Sequence, residues 1–372
     1  MRPSRALIAQ CHLVAMLAVC SGCGGYDLSR SGAEGAEGVD ATAILTLIGD
    51  GRGANPEFLY VSDATRLGNG TVVVADRFRP ALLFFNPEGA LVRSVGRRGA
   101  GPGEFEAPGW FVPCATDSIF LWDLRLGRMT VADSEGRFVR QFSIPSSPYR
   151  LQCSPGGLVA VLDKPAVIER MDSEGRALRR YHAELWLADR TGSRERVVGR
   201  IDVGENRPLG RMTSMALADD RLYVGTAESS AVDVYDLNGQ LLSTWGLDVE
   251  PQQPSAEDYE TSIDAMLEGF YEPAFRRAMR ADMLRIPRPE LMPAYREVFA
   301  DADGTLLVLI SSPAAPNTVL RVFDRTGAGV ADVRLPGRSK VLEAGSDYAL
   351  TVEGVDSVQR VVLYEFSLPR AR

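Results

Sequence analysis

Histidine is the side chain that most often moves protons in enzymes near neutral pH, and it occurs only twice in the sequence. His12 lies in an apolar segment near the N-terminus, and His182 directly precedes a predicted strand, Ala183–Ala188. No nucleophile motif accompanies His182, and the metal sites of histidine-dependent enzymes use several imidazoles or mixed ligands. We therefore predict no catalytic residue in this chain.

Acidic residues recur at the ends of β-rich runs, at Asp76, Asp123 and Asp163. Carboxylates gathered near the centre of a ring of strands could bind calcium, which takes oxygen ligands. Each carboxylate could instead accept hydrogen bonds from backbone amides at its own strand end. We favour the second interpretation and assign no metal and no other cofactor, with calcium kept as the alternative.

A glycine-rich loop, Gly99–Gly103, superficially suits a phosphate. It lacks the strand–loop–helix context and the Lys-Ser/Thr pair through which a P-loop holds a nucleotide. We expect a structural role, in which the glycines let the chain turn and Phe105 packs on the next unit.

Two cysteines, Cys114 and Cys153, each stand four residues before a β-rich run. This equivalence predicts that they occupy matching positions in neighbouring units. An oxidising compartment would permit a disulfide between them, although the expected spacing is at the upper limit for a bridge. A disulfide and a pair of buried thiols both remain open.

The N-terminus has the features of an export signal. Arg2 and Arg5 precede an apolar run, Ala6–Val19, that is too short to span a bilayer. Small residues and cysteines follow, so the segment resembles a bacterial lipoprotein signal. The small residue before Cys23 favours Cys23 as the lipidated residue, with Cys20 as the alternative. An ordinary cleaved signal peptide with unmodified cysteines is the other interpretation.

We accordingly divide the chain into three parts. Residues 1–23 form the signal peptide, and residues 24–42, rich in Gly, Ala and Glu, form a flexible tether. Residues 43–372 form the folded domain, which carries a helical insertion at 250–293.

The folded domain is built on a repeat. Five tight turns begin with Asn or Asp and end with Gly, a pattern that suits a reversal between two strands. The residues two and four before each turn are apolar, and another apolar residue follows six positions after each Gly. The turns are Asn86–Gly89, Asp133–Gly136, Asp189–Gly192, Asp236–Gly239 and Asp324–Gly327.

The repeat predicts an all-β, six-bladed β-propeller with four-stranded antiparallel blades. A seventh blade is disfavoured because Ser255–Leu284 has helical rather than alternating spacing, with Ser255 and Pro273 as helix starts. The last unit lacks a fourth strand. We expect Ala43–Ile48 to supply it by pairing with Val361–Phe366, because an unpaired edge is normally avoided.

One segment carries a family resemblance. Gly99–Phe105 (G-A-G-P-G-E-F), followed by a β-rich run, an Asp and a D-x-x-G hairpin, resembles the NHL-repeat propellers. Asp50–Phe58 is a degraded copy. The resemblance covers about residues 43–368 and implies the secreted lipoprotein form of the six-bladed propeller; it implies fold rather than activity.

The predicted topology assigns loops to faces. The short D-x-x-G turns lie on one face, and the loops between second and third strands share the other face with the connections between blades. Lys164–Tyr181 expands one such loop, and we expect the helical insertion to roof the axial opening in part. Five arginines fall on this second face and form a candidate ligand-binding rim: Arg77, Arg79, Arg97, Arg98 and Arg125.

These features predict a membrane-anchored extracytoplasmic propeller that serves as a binding or scaffold module. Its partners are the membrane, through the lipid, and a protein or glycan of the bacterial cell envelope, and we expect a monomer. The net charge of −8 argues against nucleic acid as a partner. The alternative is a propeller lyase or hydrolase that uses a carboxylate-bound divalent cation. The location is periplasmic or surface-facing.

Overall fold

A computed structural model of the protein describes most of the folded domain. The described residues are 37–48, 56–114, 118–144, 148–154, 157, 159–163, 166–171, 177–189, 191–205, 207–218, 220–227, 229–267, 272–311, 317–355 and 358–369.

Strands account for most of the described residues, and they form six sheets. Blade 1 consists of β3 (Val61–Arg66), β4 (Val72–Asp76), β5 (Leu82–Phe85) and β6 (Leu91–Val95). Blade 2 consists of β7 (Pro108–Cys114), β8 (Ser118–Asp123), β9 (Arg128–Asp133) and β10 (Phe138–Phe142). Blade 3 consists of β11 (Pro148–Cys153), β12 (Val159–Asp163), β13 (Ala166–Met171), β14 (Ala177–Ala188) and β15 (Arg194–Glu205).

The second half of the ring repeats this plan. Blade 4 consists of β16 (Ser214–Leu217), β17 (Arg221–Gly225), β18 (Ala231–Asp236) and β19 (Leu241–Gly246). Blade 5 consists of β20 (Tyr295–Ala300), β21 (Leu306–Ile310), β22 (Thr318–Phe323) and β23 (Gly329–Leu335), with β1 (Glu37–Asp40) at its edge. Blade 6 consists of β24 (Lys340–Ala344), β25 (Tyr348–Val355), β26 (Val358–Glu365) and β2 (Thr42–Ile48).

The predicted six-bladed propeller with four-stranded antiparallel blades is confirmed, and so is its closure. The first strand of each blade lies innermost and contacts the first strands of both neighbours, which completes a ring. The N-terminal β2 pairs antiparallel with β26, with Leu47 opposite Val361. Residues from opposite ends of the domain therefore form one blade.

The N-terminal strand β1 was not expected. Glu37–Asp40 lies within the predicted tether, yet it pairs in parallel with β23 of blade 5. Ala41 then donates its amide to Arg334 before the chain enters blade 6. The folded domain therefore includes Glu37–Asp40, because the edge of β23 offers backbone partners that composition does not reveal.

The apolar core is divided among the blade interfaces. Six clusters of buried side chains among the described residues each join two adjacent blades. Trp245 of blade 4 and Phe323 of blade 5 belong to one cluster, for example, and Leu47 of blade 6 and Phe85 of blade 1 belong to another. A blade thus buries its faces only against its neighbours.

The turn glycines explain the repeat pattern. Each closes its turn in the left-handed region, with φ of +78° at Gly136 and +86° at Gly327, where a side chain is strained. The apolar residue that follows the turn of one blade packs on the turn glycine of the next. A Cβ at Gly327 would lie 2.8 Å from the indole of Trp245, and one at Gly136 would lie 2.9 Å from Val95.

Blade 3 corrects two expectations. The predicted loop Lys164–Tyr181 contains a hairpin, since β13 pairs with the first half of β14. His182 therefore lies within β14, opposite Asp202 of β15, and does not precede the strand. The pairing with β14 identifies β13 as a strand, although its sequence lacks strict apolar alternation.

The two helices form where predicted, as α1 (Ala256–Met266) and α2 (Pro273–Met283). Ser255 caps α1 in a capping box, and Pro273 occupies the first turn of α2. Ile263 and Leu267 are buried as expected. Four other predicted apolar positions are exposed, namely Met266, Phe275, Ala278 and Leu284, and Phe270 lies outside the described residues.

We expect the packing of Trp245 on a glycine to be measurable. Gly327→Ala should destabilise the protein by about 1–3 kcal/mol more than Gly337→Ala in urea denaturation, because it adds overpacking to backbone strain. Gly337 is the matched control, since its φ is also positive at +70° but a Cβ there would meet no atom within 4 Å. Equal losses in the two variants would contradict this account of the repeat.

Candidate functional site: the axial cavity

The inner strands enclose a cavity of about 530 Å³ on the propeller axis. Every blade contributes to its wall, and charged side chains of both signs lie there beside aromatic ones. One lining residue from each blade, in chain order, gives the set Asp63, Trp110, Arg150, Leu217, Glu297 and Glu343. Concave sites that combine apolar walls with a few polar groups are where proteins commonly bind small ligands.

The polar lining residues are positioned by irregularities in the inner strands. Over the described residues, five of the six inner strands shift register by one residue against the second strand of their blade. A β-bulge of this kind bends the strand and re-aims the following side chain. The residues directly after the five shifts all line the cavity: Asp63, Trp110, Arg150, Glu297 and Glu343.

Arg150 and Glu297 join blade 3 to blade 5 as a bidentate ion pair. The two Nη–Oε distances are 2.6 and 3.3 Å. Ser214, in the blade between them, donates its hydroxyl to Glu297 at 2.6 Å and accepts the amide of Val298 at 2.9 Å. Burial opposes the charge of Arg150, but the Glu297 carboxylate outweighs it and raises the pKa of Arg150. This side of the cavity is therefore internally neutralised.

Asp63 occupies the opposite side, in blade 1. Its carboxylate accepts the amide of Phe111 from blade 2 at 2.8 Å and its neighbour Ala64 at 2.9 Å. Burial raises the pKa of Asp63 to about 7, although these amides and the charge of Lys340 act against the rise, while Glu343 adds to it. The carboxyl group is accordingly one that exchanges its proton near neutral pH.

Glu343 brings a second carboxyl group from blade 6. It accepts the hydroxyl of Tyr348, whose ring lies 4.8 Å from the guanidinium carbon of Arg66. Burial raises the pKa of Glu343, and hydrogen bonds together with the Arg66 charge offset part of that rise. Two neighbouring blades thus hold protonatable carboxyl groups in one cavity.

The two sides of the cavity differ in what they offer a ligand. Arg150 is already paired with Glu297, so it is poorly placed to receive an anion. Asp63 and Glu343 can accept hydrogen bonds when ionised and donate them when protonated. Trp110 adds an aromatic surface beside them. A small polar ligand that is neutral or positively charged fits this arrangement better than an anion does.

Two of the three strand-end acids bond backbone amides, as favoured from the sequence. Asp76 accepts the amides of four residues, and Asp123 does the same in blade 2. Both are fully buried. Asp163 accepts the indole N–H of Trp186 at 2.7 Å. Within the described ranges, no three His, Cys, Asp or Glu side chains are grouped to share a metal ion.

The five predicted rim arginines fall in the β4–β5, β6–β7 and β8–β9 connections of blades 1 and 2. Glu106 lies 3.7 Å from Arg98 and 3.9 Å from Arg125, so it brings these two together. Arg97 pairs with Glu104 at 2.7 Å. Arg77 and Arg79 follow Asp76 in the sequence, and Arg79 donates a hydrogen bond to a backbone carbonyl. None of the five lines the axial cavity.

The helical insertion packs away from the cavity. Tyr259, Ile263 and Leu267 cluster with Leu209, in the connection between β15 and β16, and Leu209 donates its amide to Ser262 at 3.2 Å. No described residue of the insertion lines the cavity. The expected roof over the axial opening is therefore not what the described contacts show.

The other sequence features have structural roles or stay open. Phe105 is buried between blades 1 and 2, as expected from the glycine-rich loop. Cys153 is disulfide-bonded, but the side chain of Cys114 is outside the described residues, so their pairing stays a prediction. Cys20 and Cys23 also lie outside them. Among the described residues, no helix is both long and apolar enough to cross a membrane.

Sequence reasoning missed the cavity residues. Asp63, Arg150 and Glu297 lie in inner strands of mixed polar and apolar sequence, VSDATR, PYRLQC and YREVFA. Such strands lack the strict alternation that marks the other strands of a blade, so no local pattern singles these three residues out.

Comparison with known proteins adds support at the level of fold. No family model matches the chain, and no curated protein matches its sequence. A solved member of the DUF4221 family from Bacteroides vulgatus is similar, with a TM-score of 0.54 and 11% identity over 90% of this chain and 100% of that one. Virginiamycin B lyase from Staphylococcus aureus aligns with a TM-score of 0.44 and 10% identity over 86% and 98% of the two chains.

A third similar structure is regucalcin, a calcium-binding protein from Agrobacterium tumefaciens. Its TM-score is 0.40 and its identity is 10%, over 91% of this chain and 99% of that one. The fold is supported by the DUF4221 structure, whose TM-score exceeds 0.5, and at such identities no activity is transferred.

The titration of Asp63 should make the free energy of unfolding depend on pH. Because its folded-state pKa is about 7 and the unfolded value is about 3.9, its contribution is present at low pH and is lost as the pH rises towards 7. In urea denaturation, Asp63→Asn should therefore become more stable relative to the wild type as the pH is raised through this window.

Asp301 is the matched control, because it lines the same cavity. Burial opposes its ionisation, but hydrogen bonds from Ser346 and Ala302 outweigh burial and lower the pKa of Asp301. Asp301→Asn should lose stability relative to the wild type as the pH rises through the acidic range to the unfolded-state pKa of about 3.9, with no further change above it. The same pH dependence in both variants would contradict the distinct environments assigned to the two carboxyl groups.

Proposed function

We propose that this protein is an extracytoplasmic binding module whose axial cavity binds a small polar ligand. The observation that carries the proposal is the set of five bulges, which aim Asp63, Trp110, Arg150, Glu297 and Glu343 into one space. Polar side chains in the interior cost free energy unless they are paired. Concentrating them at equivalent bulges in five blades is costly for stability alone and is accounted for by ligand recognition.

The sequence supports a location in the bacterial cell envelope, periplasmic or surface-facing. The signal at 1–23 supplies export and a lipid at Cys23, with Cys20 as the alternative. The ordered strand β1 shortens the tether to residues 24–36. The module works as a monomer, and its ligand is a component of the envelope, such as a glycan or a peptide.

One observation favours a second candidate, a lyase or hydrolase. A carboxyl group with a pKa of about 7, such as Asp63, is suited to general acid–base catalysis. The form of this candidate that depends on a carboxylate-bound divalent cation would use Asp63 and Glu343. It would require the ion to stabilise the folded protein.

A thermal-shift screen of the purified full-length protein tests the proposal. The panel should contain neutral oligosaccharides, short peptides, polyamines and divalent cations. We expect a neutral or cationic organic ligand to stabilise the protein by about 2.7 kcal/mol when its concentration is about one hundred times its Kd. Glu343→Gln and Trp110→Phe should each reduce that stabilisation, because the first replaces a cavity carboxyl group by an isosteric amide and the second replaces the indole of the cavity wall by a smaller ring.

Arg97→Gln is the matched control, because Arg97 is an exposed rim residue whose change should leave ligand binding intact. Stabilisation that is equal in the cavity variants and the control would contradict the axial site. Stabilisation by calcium that chelation reverses, without any organic ligand, would instead support the enzyme.

The anchor is tested separately. We expect the wild type to partition into the detergent phase after expression in a lipoprotein-processing bacterium and to incorporate labelled fatty acid. Cys23→Ala should abolish both because it removes the acylated thiol, while Cys20→Ala should abolish neither. If only Cys20→Ala loses the label, the lipidated residue is Cys20. If the wild type and both variants partition into the aqueous phase, the protein carries no lipid anchor.

A further inference from the structure

One patch of the surface combines exposed apolar side chains with arginine. It lies on the β4–β5 and β8–β9 loops and the β6–β7 connection of blades 1 and 2, and we call it the blade 1–2 rim, defined by Arg77, Phe78, Arg98, Leu124 and Arg125. Phe78 is 43% exposed and Leu124 is 39% exposed. Aromatic and arginine side chains are the residues most enriched at the energetic centres of protein interfaces.

Buried carboxylates hold the backbone of the rim loops in place through hydrogen bonds. In blade 1, the buried Asp76 accepts the amides of Phe78 and Arg79, which stand two and three residues after it. In blade 2, Asp123 accepts the amides of the residues at the same two offsets, Arg125 and Leu126. Each carboxylate also accepts two amides from the preceding blade connection.

This bonding fixes the backbone while the side chains point outward. Asp76 and Asp123 are both 0% exposed, so their hydrogen bonds are protected from water. Phe78 is further oriented by an edge-to-face contact with Tyr60, with ring centroids 6.0 Å apart. A surface ordered before binding loses less conformational entropy on association.

The charge of the patch identifies the kind of partner. Arg98 and Arg125 share a single carboxylate, Glu106, at 3.7 and 3.9 Å, and Arg77 is exposed in the corresponding loop of blade 1. Together with Arg79 and Arg97, these arginines outnumber the carboxylates that pair with them, Glu104 and Glu106, on a chain whose net charge is −8. Carboxylates are therefore attracted to the rim and repelled from most of the remaining surface.

We propose that the blade 1–2 rim docks an acidic segment of a partner protein. Apolar side chains of that segment contact Phe78 and Leu124, and its carboxylates pair with Arg77, Arg98 and Arg125. The proposal goes beyond the axial ligand site, since no rim residue lines the cavity. An anionic membrane is the weaker occupant, because Glu104 and Glu106 sit among the arginines and polybasic lipid sites have about four to eight cations.

Fluorescence anisotropy with short labelled peptides that alternate Glu with Leu tests the rim. We expect the full-length protein to bind these peptides, and about tenfold weaker binding in Arg77→Ser/Arg125→Ser, which corresponds to about 1.4 kcal/mol. Phe78→Ala should also weaken binding, and it should fold normally because the side chain is 43% exposed. Added salt should weaken the wild-type complex.

The matched control is Arg137→Ser/Arg325→Ser, which removes two exposed arginines from the D-x-x-G turns of the opposite face. It should bind the peptides as the wild type does. Equal losses in the two double variants, or equal affinity for peptides with Gln in place of Glu, would overturn the proposal. Binding to vesicles of anionic phospholipid without binding to the peptides would also overturn it, in favour of a membrane surface.

Discussion

The interaction on which the rest of the structure depends is the packing of each blade against its two neighbours. No blade has a core of its own, because the six apolar clusters each join adjacent blades. The interface of blade 6 with blade 1 forms only when β2 has paired with β26, since Leu47 of β2 is part of it. Closure of the chain on itself is therefore a condition for burying either face of those two blades. In the same way, the pairing of β1 with β23 adds an N-terminal strand to blade 5.

A closed ring of inner strands also explains where binding groups can be placed. Second strands such as β4 and β21 are buried on both faces and leave little room for polar groups. The inner strands instead have one side on the axis, and their bulges turn Asp63, Arg150, Glu297 and Glu343 towards it. The loops that leave the buried second strands form a second region, held by the strand-end carboxylates. The same blade repeat therefore positions both the side chains that line the cavity and the loops that form the rim.

The sequence was informative wherever a local pattern determines the structure. Turn glycines, alternating strands, helix caps and the missing fourth strand of blade 6 were all predicted, because each follows from backbone geometry or from the need to cover an edge. The cavity was not predicted, since a bulge is a property of two paired strands and leaves no signature in one of them. The hairpin formed by β13, and the packing of the helical insertion against Leu209, were not predicted for a related reason. Both depend on a partner that is distant in sequence.

The central claim is that the axis of this ring is a binding site. The most direct test is a crystal structure of the protein with the organic compound that stabilises it most strongly. The account predicts that the compound lies in the axial cavity, in contact with Trp110 and hydrogen-bonded to Asp63 or Glu343, with the Arg150–Glu297 pair intact. A compound bound on the D-x-x-G turns or on the outer strands, with the cavity filled only by water, would contradict it.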